Sequence, residues 1–308
     1  MTIEAGRRAR SMAELAELQG RFMTPPEIGA SIASFRPRAS DIIISPYGKC
    51  GTTWLQQSFH CLRTGGDQDF DDISCVVPWI ETAGILGLDL SAEQRAEPRG
   101  FKSHLAWPVV PKGARYVVSL RDPKDALVSM YRFMEGWFLE PGAVAIGEFA
   151  VSWLERGQGR DYWSHLISWW EQRDNPDVLL VSYEQMSADP EAAVRRLAAF
   201  CGIALSERLL TQTLDMTSLA FMLAHKHRFD DALMRRASEA RCGLPPGSDS
   251  AKVRAGRVGG HRRELPAEIG QALDAKWTEV VTPALGFADY AALDAALKST
   301  AAHDSAAL

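Results

Sequence analysis

Four short segments, far apart in the chain, hold residue types suited to binding an anion and moving a proton beside it. The first is Ile42-Ile43-Ile44-Ser45-Pro46-Tyr47-Gly48-Lys49-Cys50-Gly51-Thr52-Thr53-Trp54. Its β-branched run reads as a buried parallel strand that breaks at Pro46 and Gly48. Trp54, Leu55, Phe59 and Leu62 then recur at helical spacing up to Gly65-Gly66. A loop between strand and helix offers bare backbone N–H groups at a helix N-terminus, where negative charge is favoured. Lys49 adds a full positive charge, and Thr52 and Thr53 add hydroxyl donors. The chemistry is that of a phosphate cradle.

The second segment is Phe101-Lys102-Ser103-His104-Leu105. A histidine titrating near neutrality can serve as a general base, and the same residue between apolar neighbours also suits a plain core position. The third runs from the apolar stretch Arg115–Leu120 into Arg121, Asp122, Pro123 and Asp125, a strong helix start. Arg121 thus ends a strand, where ligands of open α/β sheets bind, and its fork can grip a phosphate with two parallel hydrogen bonds. Ser129, further along that helix, is another hydroxyl donor. The fourth, Arg254-Ala255-Gly256-Arg257-Val258-Gly259-Gly260, is a basic glycine-rich loop.

These segments need a scaffold. Apolar runs at 42–44, 115–120 and 177–183 read as strands. Helical patterns follow at 52–64, 79–97, 122–136, 162–172 and 189–201, then over most of 206–240, and at 266–281 and 289–298. Strands alternating with helices predict one α/β domain over the whole chain, with a central parallel sheet flanked by helices in a P-loop-like nucleotide-binding architecture. Residues 1–35 read as an N-terminal extension, in which Phe22 and Phe35 cover either a pocket or the core, and 299–308 as a frayed tail.

Close to half of the 308 residues are apolar, so a core forms without disulfides or metal. A net charge of −5 argues against general nucleic-acid binding, so any anion site is local. The five cysteines include no Cys-x-x-Cys pair, which suggests neither a disulfide framework nor a zinc site and fits a reducing interior. Asp67, Asp69, Asp71 and Asp72 form an acidic stretch without a histidine and read as a solvated loop. Met1–Gly20 lacks an apolar h-region and no apolar run approaches membrane-spanning length. The expectation is a cytoplasmic protein with no membrane association.

The first loop is not a Walker A loop, which ends in Gly-Lys-Ser/Thr. Lys49-Cys50-Gly51-Thr52-Thr53-Trp54 instead resembles the nucleotide loop Lys-Ser-Gly-Thr-Thr-Trp of the cytosolic-type sulfotransferases, with Cys50 at the serine position. Those enzymes move a sulfuryl group from PAPS (3′-phosphoadenosine-5′-phosphosulfate) to an acceptor hydroxyl or amine, releasing PAP (3′-phosphoadenosine-5′-phosphate). Val118–Ser129 resembles the family's second signature, which implies that Arg121 and Ser129 hold the 3′-phosphate. Residues 254–260 resemble its Arg-Lys-Gly-x-x-Gly loop, implying the same for Arg254, Ala255 and Gly256. Ala255 departs from the family lysine, and Gly260 and His261 stand where aspartate and tryptophan are usual. The resemblance further implies that Trp54 stacks on adenine, that Tyr183 bonds its edge and that the stretch around Thr217 closes over it. Lys102-Ser103-His104-Leu105 resembles the family's Lys-x-His-Leu, which implies His104 as catalytic base and Lys102 as its assistant. Lys49 would stabilise charge on the leaving phosphate. No metal is implied.

The resemblance spans about residues 40 to 263 and predicts a small hydroxylated acceptor, with phenols, steroid-like alcohols and hydroxylated natural products all fitting. Trp79, Trp107, Phe133, Trp137 and Phe138 are candidates for an aromatic acceptor pocket or for ordinary core. The family's dimer motif, Lys-x-x-x-Thr-Val, is not evident near Arg262 to Glu268, so no oligomeric state is implied. Two rivals stand beside this reading: a P-loop small-molecule kinase using ATP, and a nucleotide-binding module without catalysis.

Overall fold

The computed structural model describes residues 6–157 and 161–306. Strand β1, Ile42–Ile44, is buried on both faces, as its unbroken β-branched run requires. It pairs in parallel with β2, Gly100–Lys102, on one side and with β3, Arg115–Leu120, on the other. Strand β4, Val178–Ser182, pairs in parallel with β3, giving the order β2-β1-β3-β4. In register, Ile44 lies opposite both Lys102 and Val117. Because all four strands run the same way, their C-terminal ends share one edge of the sheet. The loop 45–51, His104, Arg121 and Tyr183 all emerge there, which is why segments far apart in sequence meet.

Successive residues of a strand face opposite sides, so the sheet splits the core in two. Ile43, Tyr116 and Val118 belong to an aromatic layer with Trp163, Leu166 and Trp169 of the helix Tyr162–Trp170. Ile42, Ile44 and Val117 belong to an aliphatic layer with Leu55, Phe59 and Leu62 of the helix Thr52–Thr64. Gly100 makes that second contact possible: a Cβ there would sit 2.1 Å from the Phe59 ring.

Other elements match expectation only in part. Residues 79–97 hold only the short helix Ala83–Leu86, ended by Gly87 in the left-handed region at φ 66°. The stretch 206–240 is three α-helices, Glu207–Thr217, Leu219–Ala224 and Ala232–Cys242, with a 3₁₀ turn at Lys226–Arg228. Ser218 caps one of its breaks and the left-handed Asp231 makes another. At the N-terminus, Met12–Phe22 and Pro25–Ser34 are helices, with Leu15, Leu18 and Phe22 in the core. Phe35 packs 4.5 Å from Phe101. The acidic stretch is partly structural, since Asp72 caps the short helix Ile73–Val76 and Asp67 pairs with Arg95.

The last helix, Tyr290–Ala306, runs on into the expected tail, whose final residues 307 and 308 lie outside the described residues. By length and composition Ala267–Lys298 is apolar enough to cross a membrane, against the expectation that no run is. It is two helices parted at Gly286, and Leu273, Trp277 and Val281 bury its apolar stripe against the domain.

One buried pair gave no sequence signal. Arg99 donates from Nε to Asp41 Oδ1 at 2.9 Å and from Nη2 to Oδ2 at 2.6 Å, with the side chains 2% and 0% exposed. Removing one partner of such a pair strands the other charge. Asp41→Ala is therefore expected to cost about 3–5 kcal/mol of stability in urea denaturation; a loss under about 1 kcal/mol, the scale of an exposed pair, would refute this.

Candidate active site

The loop after β1 is wound tightly. Lys49 has φ 71° and Gly51 has φ 96° before the helix Thr52–Thr64 begins. Gly51 has a double reason to be glycine, since an added Cβ would also meet the Tyr183 ring at 3.1 Å. The Cys50 carbonyl accepts from Ser119 Oγ, and the Lys49 carbonyl accepts from Arg121 Nη1 at 2.8 Å. Strand β3 thus braces the loop from behind. Two polar atoms in this corner, Thr52 Oγ1 and Arg121 Nε, are buried without a protein partner. An anion seated on the helix N-terminus would satisfy such donors.

Cys50 itself is different. Its N–H is spent on the Tyr47 carbonyl at 3.1 Å, and burial pushes its thiol up to about 12, so it is neither a free donor nor a reactive thiol. The basic loop alone would have suggested an oxidation target.

A cleft of about 1040 Å³ opens over this edge of the sheet. Its lining includes Lys49, Gly51, Thr52, Thr53, Trp54, Arg121, Ser129, Tyr183, Thr217, Arg254, Ala255 and Gly256, so the predicted binding residues, Cys50 excepted, meet in one cleft. The Trp54 indole donates to the Thr217 carbonyl at 3.0 Å, which fixes the ring. The Thr217 hydroxyl donates to the Thr213 carbonyl at 2.7 Å, so its proton is not available to a ligand. Arg121 lies 4.1 Å over the Tyr183 ring and reaches the Arg257 carbonyl at 3.3 Å. Arg254 pairs with Glu264 at 3.4 Å. Asp125, read from sequence only as part of a helix start, accepts from the Gly259 N–H at 2.6 Å and the His261 N–H at 2.9 Å. It ties the glycine-rich loop to the helix Pro123–Trp137.

His104, which also lines the cleft, projects from just beyond β2. Its Nδ1 lies 2.7 Å from the Pro46 carbonyl, which can only accept. Nδ1 therefore carries the proton, and Nε2 keeps its lone pair. The His104 N–H donates to Glu81 Oε1 at 2.7 Å, and the ring meets Trp79 edge-on at 5.1 Å. Burial, reinforced by the charge of Lys102, holds its pKa well below the usual value, so the ring is a neutral base.

Three lysines converge beside it. Burial and the neighbouring Lys252 lower Lys49 to about 7, and its Nζ sits 4.2 Å over Phe133. Burial brings Lys102 down to about 8, with Nζ 3.9 Å over Trp79 and 4.0 Å from Asp231 Oδ1. Lys252 donates to the same Asp231 oxygen at 2.5 Å. Burial alone would raise the Asp231 carboxyl, but Lys102 and Lys252 outweigh it and hold it well below the carboxylate range. Glu81, Asp231 and Lys252 were missed from sequence because no local pattern marks them; they reach the site from three separate loops.

Phe22, Trp79, Phe133, Trp137 and Phe138 also line the cleft, with Met130 and Met234. Trp107 does not: it packs on Tyr116 at 5.3 Å and Trp169 at 5.4 Å, on the far side of the sheet's aromatic layer. Its turn after β2 carries it away from the strand ends.

Comparison with known proteins gives a consistent picture. A family model described as a sulfotransferase domain matches residues 39–282. The luciferin sulfotransferase of Photinus pyralis is 27% identical over 281 residues, covering 80% of this chain and 73% of that protein. Sulfotransferase 1B1 of Canis lupus familiaris is 30% identical over 205 residues, covering 62% and 69%. Among solved structures, mouse sulfotransferase SULT7A1 complexed with PAP superposes with a TM-score of 0.67 at 21% identity, covering 90% of this chain and 95% of that one. Retinol dehydratase in complex with retinol and PAP gives 0.66 at 18% identity, covering 91% and 98%.

Proposed function

The chain belongs to the sulfotransferase domain family, and from that premise we propose that it moves a sulfuryl group from PAPS to a hydroxyl of a small acceptor, with His104 as the general base. The observation that carries this is the His104 ring, held by the Pro46 carbonyl with Nε2 unprotonated, in one cleft with a phosphate-type loop. The chemistry that PAPS supplies is a sulfuryl group on a good leaving phosphate.

The chain's residues fit that group. Lys49, the backbone at Gly51, and the hydroxyls of Thr52 and Thr53 would hold the 5′ end, where the buried Thr52 Oγ1 lacks a partner. Arg121, through its unpartnered Nε, would hold the 3′-phosphate with Ser129, Arg254 and the backbone of Ala255 and Gly256. Trp54 would stack on the adenine beside Tyr183, with Thr217 contributing surface and its indole-bonded carbonyl rather than its hydroxyl proton. His104 Nε2 takes the acceptor's proton, while Lys49 and Lys102 stabilise charge developing on the transferring oxygens. Solved relatives hold retinol or androsterone beside PAP. The apolar end around Phe133, Trp137 and Phe138 supports an apolar hydroxylated acceptor here. We place the reaction in the cytoplasm, as for the cytosolic type of this family, and within one domain spanning the chain.

Calorimetry with PAP and with ATP plus Mg²⁺, followed by transfer from labelled PAPS to phenols and steroid-like alcohols, tests this. Indifference to PAP at millimolar concentration would overturn it, and Mg²⁺-dependent ATP turnover would replace it with the kinase reading.

Binding should also be linked to protons. In the free protein Lys49 and Lys102 titrate at about 7 and about 8. A bound anion favours their charged forms and raises both pKa values toward the usual lysine range. Near pH ~8, PAP binding is expected to take up about one proton; near pH ~6, where both lysines already carry theirs, they take up almost none. Calorimetry in buffers of different ionisation enthalpy reads this number, and no buffer dependence near pH ~8 would refute it.

A further inference from the structure

Lys252 is left without a task by the reading above, yet it stands at the reacting end of the cleft. Its side chain is only 7% exposed, and it bonds Asp231, itself 4% exposed, through the same oxygen that faces Lys102. Lys49, Lys102 and Lys252 together face Asp231. Lys102 also feels Glu81, which accepts from the His104 amide, and Asp72, whereas Lys252 is bonded to Asp231. A buried cluster of three ammonium groups around one carboxylate is suited to receive anionic oxygens.

The backbone points to the same place. Among the described residues, those other than glycine with positive φ are Lys49 at 71°, Asp231 at 53° and Ala251 at 48°. All three belong to this cluster or adjoin it, Ala251 immediately preceding Lys252. Strain of this kind persists only where the surrounding structure enforces it, and it concentrates at working sites.

Resting on the sulfotransferase reading, we propose that Lys252, positioned by Asp231, is a third lysine that touches the sulfuryl group in transit, a catalytic residue beside Lys49 and Lys102. Asp231 holds the ammonium in place while the cleft is free of donor. When the donor's sulfonate oxygens arrive, Lys252 donates to them and Asp231 keeps its remaining contact with Lys102. No covalent step is added: the S–O bond to the leaving phosphate breaks, the bond to the acceptor oxygen forms and His104 takes the proton.

The test exploits the one group by which PAPS differs from PAP. Affinities of both are measured calorimetrically without acceptor for wild type, Lys252→Met and Lys252→Arg. Lys252→Met should bind PAP within about twofold of wild type, lose about tenfold in its preference for PAPS over PAP, and lose about 10–100-fold in kcat. Lys252→Arg should restore most of each. Because Lys252 depresses Lys49, Lys102 and His104, its removal should also shift both limbs of the pH–rate profile to higher pH. An unchanged PAPS-to-PAP ratio and kcat in Lys252→Met would overturn the proposal. Equal losses for both nucleotides would do so too, reducing the pair to a pin for its loop. Wild type that binds neither nucleotide would instead sink the sulfotransferase reading and this inference with it.

Discussion

Replacing His104 by alanine is expected to lower kcat by roughly 10²–10⁴ and leave PAP affinity within about twofold of wild type. The argument is geometric. The ring's proton sits on Nδ1, committed to the Pro46 carbonyl, and its peptide N–H is committed to Glu81. Only Nε2 remains to act, and the depressed pKa keeps it free of a proton through the neutral range. His104→Asn provides the control, because its amide can keep the bond to Pro46 without supplying a base. It should fold as wild type does and be as slow as alanine. Near-wild-type turnover in either variant removes His104 from the chemistry. In kcat/KM of wild type, the acid limb should lie below the usual histidine range, and activity should fall above about pH 7 as Lys49 in the free enzyme loses its proton.

The second large effect belongs to Arg121. Its alanine variant should bind PAP about 100-fold more weakly, the loss of a charge-assisted hydrogen bond from Nε together with the positive charge behind it. Nη1 and Nη2 hold the carbonyls of Lys49 and Arg257, and the guanidinium plane lies over Tyr183, so the group is oriented before any ligand arrives. The unpartnered Nε is what that orientation leaves over. Arg121→Lys keeps the charge but not the fork, and is expected to recover only a small part of the affinity. A melting curve for each variant separates loss of the structural bonds from loss of the ligand. Unchanged PAP affinity in a folded Arg121→Ala protein would place the 3′-phosphate elsewhere.

Much of this was legible without coordinates because its causes are local. The β-branched run at 42–44, the turn residues that end it and the helix start at Asp122-Pro123 act within a few residues of themselves. They yielded the strands β1, β3 and β4 and the helices that begin just after Lys49 and Arg121. The helix expected over 79–97 shrank to Ala83–Leu86 because Gly87, in the left-handed region, ends it, which hydrophobic spacing alone could not announce. Residues 206–240 are mostly helical as expected, but the helix breaks at Ser218 and again at Asp231, whose left-handed backbone no residue preference announces.

By itself, then, the sequence determined the parallel α/β domain, the phosphate loop and the family. These follow from periodicity, turn chemistry and motif order along one stretch of chain at a time. Tertiary structure alone decided that Cys50 is inert, that the Thr217 hydroxyl proton is spent, that Trp107 faces away from the cleft and that Lys252 shares Asp231 with Lys102. Burial, pKa and ion pairing depend on which distant groups lie within a few ångströms, and that is settled only when the strand ends and loops close on one another.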